Sequence, residues 1–301
     1  MKIGDIVSRN SYNNDIIFKI ESFTADKNGK VMAILKGVAF RIIADAYIDD
    51  LKSAIVPSNI RSVMIGEKVE NKLSNTRAET LNKQKNMCRS LTKGKTTIKS
   101  YGMPGKVLQL DGDKDYLNIC LDVYSELGIP AAGVAIKESD QHKEVYKLLK
   151  KYNPDILVIT GHDSMTIKEG NIDDLKNYRN SLNFIKTVKE ARRWEPNLDD
   201  LVIFAGACQS DYEKIILSGA NFASSPGRIM IHALDPVFIV EKIACSRIDT
   251  VVPIEEIIKQ TVTGVRGIGG CETRGKFRWA MPKFSIENTI EENIKDEEKS
   301  S

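Results

Sequence analysis

Short apolar segments alternate with helical patterns after residue 105, and this alternation restricts the possible fold more than any other feature of the chain. The predicted strands are Val107–Leu110, Ala131–Ile136, Asp155–Thr160, Leu201–Ala205 and Ile229–Ala233. Strands that are apolar on both faces are typical of a parallel sheet covered by helices. The strand–helix order therefore predicts a doubly wound α/β domain over residues 106–285, with a mostly parallel sheet sandwiched by helices.

The first 56 residues have a different pattern. Short segments rich in apolar and β-branched residues are separated by turn signals at Asn13-Asn14 and Lys27-Asn28-Gly29. Four or five strands in so short a stretch predict a small SH3-like β-barrel over residues 1–56, although a β-meander that only flanks the main domain is an alternative.

Residues 57–105 are rich in Lys and Arg, show weak apolar periodicity and end in the breaker Gly102-Met103-Pro104-Gly105. This composition predicts a linker that is partly helical around residues 76–91. A basic segment can bind nucleic acid, but no aromatic residue is interleaved before Tyr101, so the pattern does not favour that partner. At the other end, residues 286–301 are mainly acidic and are predicted to be disordered.

Composition excludes several classes of protein. The net charge is only +3 and 42% of the residues are hydrophobic, so no overall charge directs the chain to nucleic acid or membrane. We find neither an apolar signal segment nor a run of roughly 18 apolar residues, which predicts a cytoplasmic protein without membrane contact. The five cysteines include no CxxC pair, so we expect no disulfide framework, metal or other cofactor.

A histidine and a cysteine follow two of the predicted strands. The third strand ends in Thr160-Gly161-His162, and the fourth is followed by Gly206-Ala207-Cys208. Ligands of open α/β sheets bind at the carboxyl ends of the strands, where these two side chains would meet. A thiol within reach of an imidazole ionises and acts as a nucleophile. The paired pattern therefore predicts Cys208 as nucleophile and His162 as its base, although either residue alone is more often structural.

Backbone groups near this pair are candidates for an oxyanion hole. A predicted helix from about Asp211 to Ser218 follows Cys208, and its N-terminus would favour a thiolate. The free N–H groups there, together with the backbone at Asp163, would stabilise a tetrahedral oxyanion. Gly161 and Gly206 would allow a peptide substrate to approach the backbone closely.

Other residues are weaker candidates. Asp211, Asp235 and Ser225 lie at the predicted carboxyl edge and are possible walls of a substrate pocket, although helix capping explains both aspartates equally well. Cys271 is a rival nucleophile in a glycine-rich loop. Asp111-Gly112-Asp113 is either a metal-binding turn or, more simply, a capped turn.

An apolar strand ending in His, followed by one ending in Ala-Cys, resembles the clan of cysteine peptidases that contains caspases, gingipains and legumains. The resemblance implies a caspase-like fold, with His162 and Cys208 as the dyad and a thioester intermediate. The sequence departs from the clan at Asp163, where a glycine is usual. That departure leaves open which amide completes the oxyanion hole.

Motifs along nearly the whole chain are similar to the YabG family of sporulation-specific proteases of endospore-forming Firmicutes. They include Gly4-Asp5-Ile6-Val7, Thr160–Asp163, Ala205–Ser210, Gly219–Pro226 and Gly267–Gly270. The resemblance implies cleavage of spore-coat and cortex-related proteins next to arginine in the mother cell, and it leaves open an association with the forespore coat. If the enzyme prefers arginine, the linker residues Arg61, Arg77 and Arg89 are candidate self-cleavage sites.

Two other functions remain open at this point. One is a different α/β thiol hydrolase, such as an amidotransferase-like enzyme acting on a small molecule, although in amidotransferases the cysteine normally precedes the histidine. The other is a non-enzymatic spore or nucleic-acid scaffold that uses the barrel and the basic linker. It predicts salt-dependent nucleic-acid binding that survives loss of Cys208.

Overall fold

The computed structural model describes residues 1–54, 65–66, 69–79, 82, 101–165, 172 and 174–280. Its first part is an antiparallel sheet of five strands in the order β4-β3-β2-β1-β5. The strands are β1 (Ile6–Arg9), β2 (Ile17–Ala25), β3 (Val31–Gly37), β4 (Ile43–Tyr47) and β5 (Leu51–Ser53). Alternate side chains, among them Val7, Phe18 and Leu35, form a small core of their own, as period-two patterning requires.

The second part is an α/β unit around a six-stranded sheet in the order β13-β11-β10-β9-β7-β8. The sheet contains β7 (Val107–Asp111), β8 (Ala131–Ala135), β9 (Ile156–Thr160), β10 (Val202–Ala205), β11 (Phe222–Ser224) and β13 (Ile268–Gly270). All neighbours are parallel except β13, which pairs antiparallel with β11. This architecture confirms the predicted mostly parallel sheet and the antiparallel β region that precedes it.

Helices cover both faces of the sheet. They are α1 (residues 69–79), α2 (Lys114–Glu126), α3 (Glu138–Tyr152), α4 (Ser181–Trp194), α5 (Tyr212–Leu217), α6 (Asp235–Ala244) and α7 (Ile254–Gln260). Ile156 and Val158 of β9 pack on the side of α2 and α6, whereas Leu157 and Ile159 pack on the side of α3 and α4. Successive residues of one strand thus supply two different cores, which explains why the strand is apolar throughout.

Two short ladders complete the described structure. β6 (Tyr101–Met103) pairs with β15 (Arg278–Ala280), and β12 (Val251–Val252) pairs with β14 (Thr273–Arg274). Both ladders are antiparallel and lie outside the main sheet. In the part of the chain that the structure describes, no helix has the length and apolar character needed to span a membrane.

One predicted strand was wrong. Residues 229–233 are not part of the sheet, and the fifth parallel strand is β11, Phe222–Ser224. The helix before it, α5, is only six residues long, so the chain returns to the sheet earlier than the pattern predicted. A turn at residues 225–228, with Ser225 and Arg228 at positive φ, then leads residues 229–233 along the carboxyl edge of the sheet. Their only ladder contact among the described residues is an antiparallel bridge from His232 to Phe40 of the first domain.

The predicted linker is helical in part. Arg77 lies in α1, and its guanidinium is paired with Glu126 of α2. Arg61, Arg89 and the acidic segment 286–301 lie outside the described residues.

Candidate active site

The two predicted catalytic residues follow neighbouring strands at the same edge. In the parallel ladder of β9 and β10, Ile159 is the register partner of Ala205. His162 lies three residues beyond Ile159, and Cys208 lies three residues beyond Ala205. Both side chains therefore leave the sheet at equivalent positions, at the edge where α/β proteins bind ligands.

His162 is almost completely buried, at 1% exposure, between groups of the α/β unit. Its backbone N–H donates to Glu138 Oε1 over 2.7 Å, and the same oxygen lies 3.9 Å from Nδ1. On the other side, Asp113 Oδ2 is 4.0 Å from Nε2, and the ring of Tyr116 packs at 5.3 Å. Burial lowers the pKa of His162 to about 3 although Asp113 opposes this shift, so the imidazole is neutral.

Cys208 is also buried. Its Sγ accepts a hydrogen bond from the Ile231 N–H over 3.3 Å, and its own N–H donates to the Arg41 carbonyl oxygen over 3.4 Å. Burial raises the pKa of Cys208 to about 12, even though the Ile231 and Arg41 backbones favour the thiolate. In this closed state the two groups are therefore a thiol and a neutral imidazole.

A guanidinium from the antiparallel first part of the chain lies in the same region. Arg41, in the loop between β3 and β4, is fully buried, and its Nη1 lies 2.8 Å from Asp111 Oδ2 and 3.0 Å from Asp111 Oδ1. Its other contacts are Cys120 Sγ at 3.6 Å from Nη2, the Ala233 carbonyl at 3.4 Å from Nε, and the ring of Tyr116 at 4.7 Å. Burial acts against the charge, but Asp111 more than offsets it, and the pKa of Arg41 is raised.

The backbone around Arg41 follows the carboxyl edge of the sheet. Ala233 N–H donates to the Ala39 carbonyl over 3.0 Å, and the bridge between Phe40 and His232 continues this antiparallel pairing. On the other side, Ile42 forms a parallel bridge with Asp163. Residues 39–42 thus lie between the chain after β9 and residues 231–233.

Asp163, where the peptidase clan usually has glycine, is a buried anchor. Its carboxylate accepts hydrogen bonds from the backbone N–H groups of Ser164 and Asn180 and from the hydroxyls of Ser181 and Ser210. Burial raises its pKa against the effect of these donors. The side chain therefore joins the start of α4 to the segment after Cys208, while its backbone lies beside Ile42.

The candidate pocket residues Asp211, Asp235 and Ser225 all lie at the carboxyl edge, where their side chains bind other groups than Arg41. Asp211 caps α5 and is paired with Lys214. Asp235 accepts hydrogen bonds from the N–H groups of residues 232, 262 and 263, and burial raises its pKa. Ser225 donates to the Ile229 carbonyl.

The two glycines have steric roles. A Cβ at Gly161 would meet Glu138 at 2.3 Å, and one at Gly206, where φ is +115°, would meet Ser224 Oγ at 2.3 Å. Glycine at both positions lets the strand ends pack against these side chains. The rival thiol, Cys271, lies next to β13, where its Sγ contacts the Asn221 carbonyl.

Sequence reasoning missed Arg41 and the role of Asp111. In the turn at residues 111–113, Asp113 caps α2, as the simpler of the two predicted alternatives has it. Asp111 instead forms an ion pair with the Arg41 guanidinium. The described residues contain no cluster of His, Cys, Asp and Glu that would hold a metal ion. An available signal was the position of Asp111 at the carboxyl end of a buried strand, the edge on which ligands bind.

The amino-acid sequence was compared with those of known proteins. The sequence model of the family described as YabG peptidase U57 matches residues 2–282. The chain is also 43% identical over 283 residues to the sporulation-specific protease YabG of Bacillus subtilis (strain 168), an alignment that covers 93% of this chain and 98% of the relative.

Proposed function

The chain belongs to the YabG peptidase U57 family, and from this premise we propose that it is a sporulation protease of the cysteine type, with Cys208 as nucleophile and His162 as base. The observation that carries the proposal is the matched register of β9 and β10, which brings both residues to one edge of the sheet. A polypeptide carbonyl, that of Arg41, already lies against the Cys208 N–H there. An acyl-transfer site needs this juxtaposition of nucleophile and carbonyl.

In the proposed reaction, His162 accepts the thiol proton as Cys208 Sγ attacks the substrate carbonyl carbon. The Cys208 N–H stabilises the oxyanion, and the backbone at Gly161, Asp163 and Gly206 shapes the site around it. His162 then protonates the departing amine as the C–N bond breaks, which leaves a thioester. Water activated by His162 hydrolyses the thioester and restores the thiol. Glu138, which contacts both the backbone and Nδ1 of His162, acts as a positioning residue.

We propose spore-coat and cortex-related proteins of the mother cell as substrates, with cleavage next to arginine. This substrate class comes from the resemblance of the motifs. Self-processing in the linker remains part of the proposal. Because a peptide must be extended to enter an endopeptidase site, the helical Arg77, which is paired with Glu126, must unfold locally before it is cleaved.

Matched cysteine variants test the dyad. Cys208→Ala is expected to lower kcat/KM on a fluorogenic peptide with a single arginine by at least about 10⁴-fold, because the nucleophile is lost. Cys271→Ala, the control, should retain activity within about threefold. Thermal unfolding of both proteins checks that they fold. Undiminished turnover by a folded Cys208→Ala variant would refute the assignment.

Intact mass tests self-processing on the same preparations. Wild type should show fragments that end at arginine, and Cys208→Ala should remain at full length. Identical full-length masses for the two proteins would exclude self-processing.

A further inference from the structure

We propose that the buried site that holds the Arg41 side chain is the arginine-specificity pocket of the enzyme, with Asp111 as its recognition residue, and that residues 39–41 occupy it as a built-in peptide inhibitor. The inference rests on the proposed function, since it takes Cys208 as the nucleophile. It adds the residue that selects arginine, and it assigns an inhibitory role to the N-terminal domain.

The first argument is that the α/β unit itself fixes the recognition residue. Asp111 is held by donors of its own domain: Gln109 Nε2 at 3.1 Å and Thr160 Oγ1 at 2.9 Å on Oδ2, and the Asp113 N–H at 3.0 Å on Oδ1. These bonds fix the carboxylate at the carboxyl end of β7. The groups that contact the Arg41 guanidinium all belong to the α/β unit: Asp111, Tyr116, Cys120 and the Ala233 carbonyl.

The chemistry of the walls is selective for arginine. A carboxylate at the base, an aromatic face on Tyr116 and the Ala233 carbonyl suit a planar cation with several donors. A neutral side chain would leave Asp111 buried without a counter-charge. Substrates of this pocket are therefore polypeptides with an arginine, held by its guanidinium.

The second argument is the register of the backbone. The Ala39 carbonyl pairs with the Ala233 N–H, and two residues later the Arg41 carbonyl meets the Cys208 N–H. Residues 39–41 thus add a short strand to residues 231–233, which is a common way for a groove to bind an extended peptide. The arrangement places the side chain of Arg41 in the pocket and the Arg41–Ile42 peptide bond at the nucleophile. An ion pair that served stability alone would not require this alignment.

The third argument is that the five-stranded antiparallel sheet preforms the occupant. Gly37 N–H donates to the Ile42 carbonyl, and Ile42 N–H donates to the Phe40 carbonyl. β3 ends at Gly37 and β4 begins at Ile43, so both ends of the loop are anchored. A loop that is rigid before binding loses little entropy when it binds. The anchored loop also holds Ile42, whose amine would be the leaving group of cleavage at the Arg41–Ile42 bond. Because that amine cannot diffuse away, the loop acts as an inhibitor and not as a substrate.

The burial of His162 and Cys208 agrees with an occupied, closed site. Displacement of residues 39–41 would admit water to both groups and weaken the burial that keeps them a thiol and a neutral imidazole. A substrate arginine must therefore displace Arg41 before it meets the nucleophile.

A binding experiment tests the pocket without catalysis. In the Cys208→Ala background, Arg41→Ala should vacate the pocket. The probe is the acetylated peptide amide Val-Ala-Phe-Arg, which copies residues 38–41, and its control is the same peptide with citrulline. By calorimetry the double variant should bind the arginine peptide at least about tenfold more tightly than the citrulline peptide. Cys208→Ala with Arg41 in place should bind the arginine peptide at least about tenfold more weakly than the double variant does, because Arg41 competes for the site. Adding Asp111→Asn to the double variant should remove the preference for arginine.

Equal binding of the two peptides by the folded double variant, or no binding of either, would overturn the proposal. If the double variant does not fold alone, both peptides are added during refolding. Rescue by the arginine peptide only would support the pocket, and no rescue or equal rescue would refute it. Because Cys208 is absent throughout, an error in the proposed nucleophile leaves this result unchanged and appears only in the activity assay.

Discussion

The buried pair of Arg41 and Asp111 predicts an asymmetric pattern of stability losses. Both side chains are 0% exposed, and removal of one partner from a buried ion pair typically costs about 3–5 kcal/mol. Arg41→Met leaves Asp111 with the donors of Gln109, Thr160 and the residue 113 backbone, so we expect a loss near 3 kcal/mol. Asp111→Asn leaves the guanidinium with only a carbonyl, a thiol and an aromatic ring, so we expect a loss near 5 kcal/mol.

The double variant separates the pair from the packing around it. With both charges removed, neither group is left uncompensated. The double variant should therefore lose about as much unfolding free energy as Asp111→Asn alone. The difference from the sum of the two single losses, a coupling of about 3 kcal/mol, measures the ion pair. Urea unfolding, followed by the fluorescence of Trp194 and Trp279 and by circular dichroism, measures all four proteins. Coincident transitions would justify two-state treatment. Losses that add to within about 0.5 kcal/mol would refute the reasoning.

Three further predictions concern the same site. Because the pKa of His162 falls from 6.5 to about 3 on folding, the unfolded state binds the proton first when the pH is lowered. The free energy of unfolding should therefore decrease by up to ~1.4 kcal/mol for each pH unit as the pH falls between these two values. A plot of unfolding free energy against pH should be flatter in this range for His162→Gln than for wild type. Asp163→Ala leaves four hydrogen-bond donors without their acceptor in a buried site, so the free energy of unfolding should fall by about 3–5 kcal/mol. The control Asp211→Ala, which removes a helix cap, should lower it by only about 1 kcal/mol. Similar losses for the two variants in urea unfolding would contradict the anchor role of Asp163. Iodoacetamide should alkylate Cys208 at least about tenfold faster in Arg41→Ala than in wild type, as measured by intact mass, and equal rates would show that residues 39–41 do not cover the thiol.

The sheet and the positions of His162 and Cys208 were predictable because a buried parallel strand is apolar on both faces. β9 and β10 carry that signal in every residue, and the polar residues that follow mark the edge where ligands bind. The helix predicted from about Asp211 to Ser218 begins and ends within one residue of α5, since a cap such as Asp211 is a local signal.

Residues 229–233 show where this reasoning fails. An apolar run with β-branched residues is the same pattern whether it joins the main sheet or lies at its edge. Here the shortness of α5 and the turn after β11 decided the placement. The run pairs with residues 39–40, nearly two hundred positions earlier in the chain, and no local pattern encodes such a partner.

The amino-acid sequence by itself determined the mostly parallel sheet, the edge at which the chemistry lies and the two residues that the proposed dyad uses, because apolar periodicity and strand ends are local properties. Only the tertiary structure decided that Arg41 of the first domain reaches Asp111 and lays its carbonyl against Cys208. That contact depends on how the five-stranded antiparallel sheet packs on the carboxyl edge of the parallel sheet. A charged residue in a loop is normally solvated, and only its burial opposite a fixed carboxylate reveals it as an internal ligand.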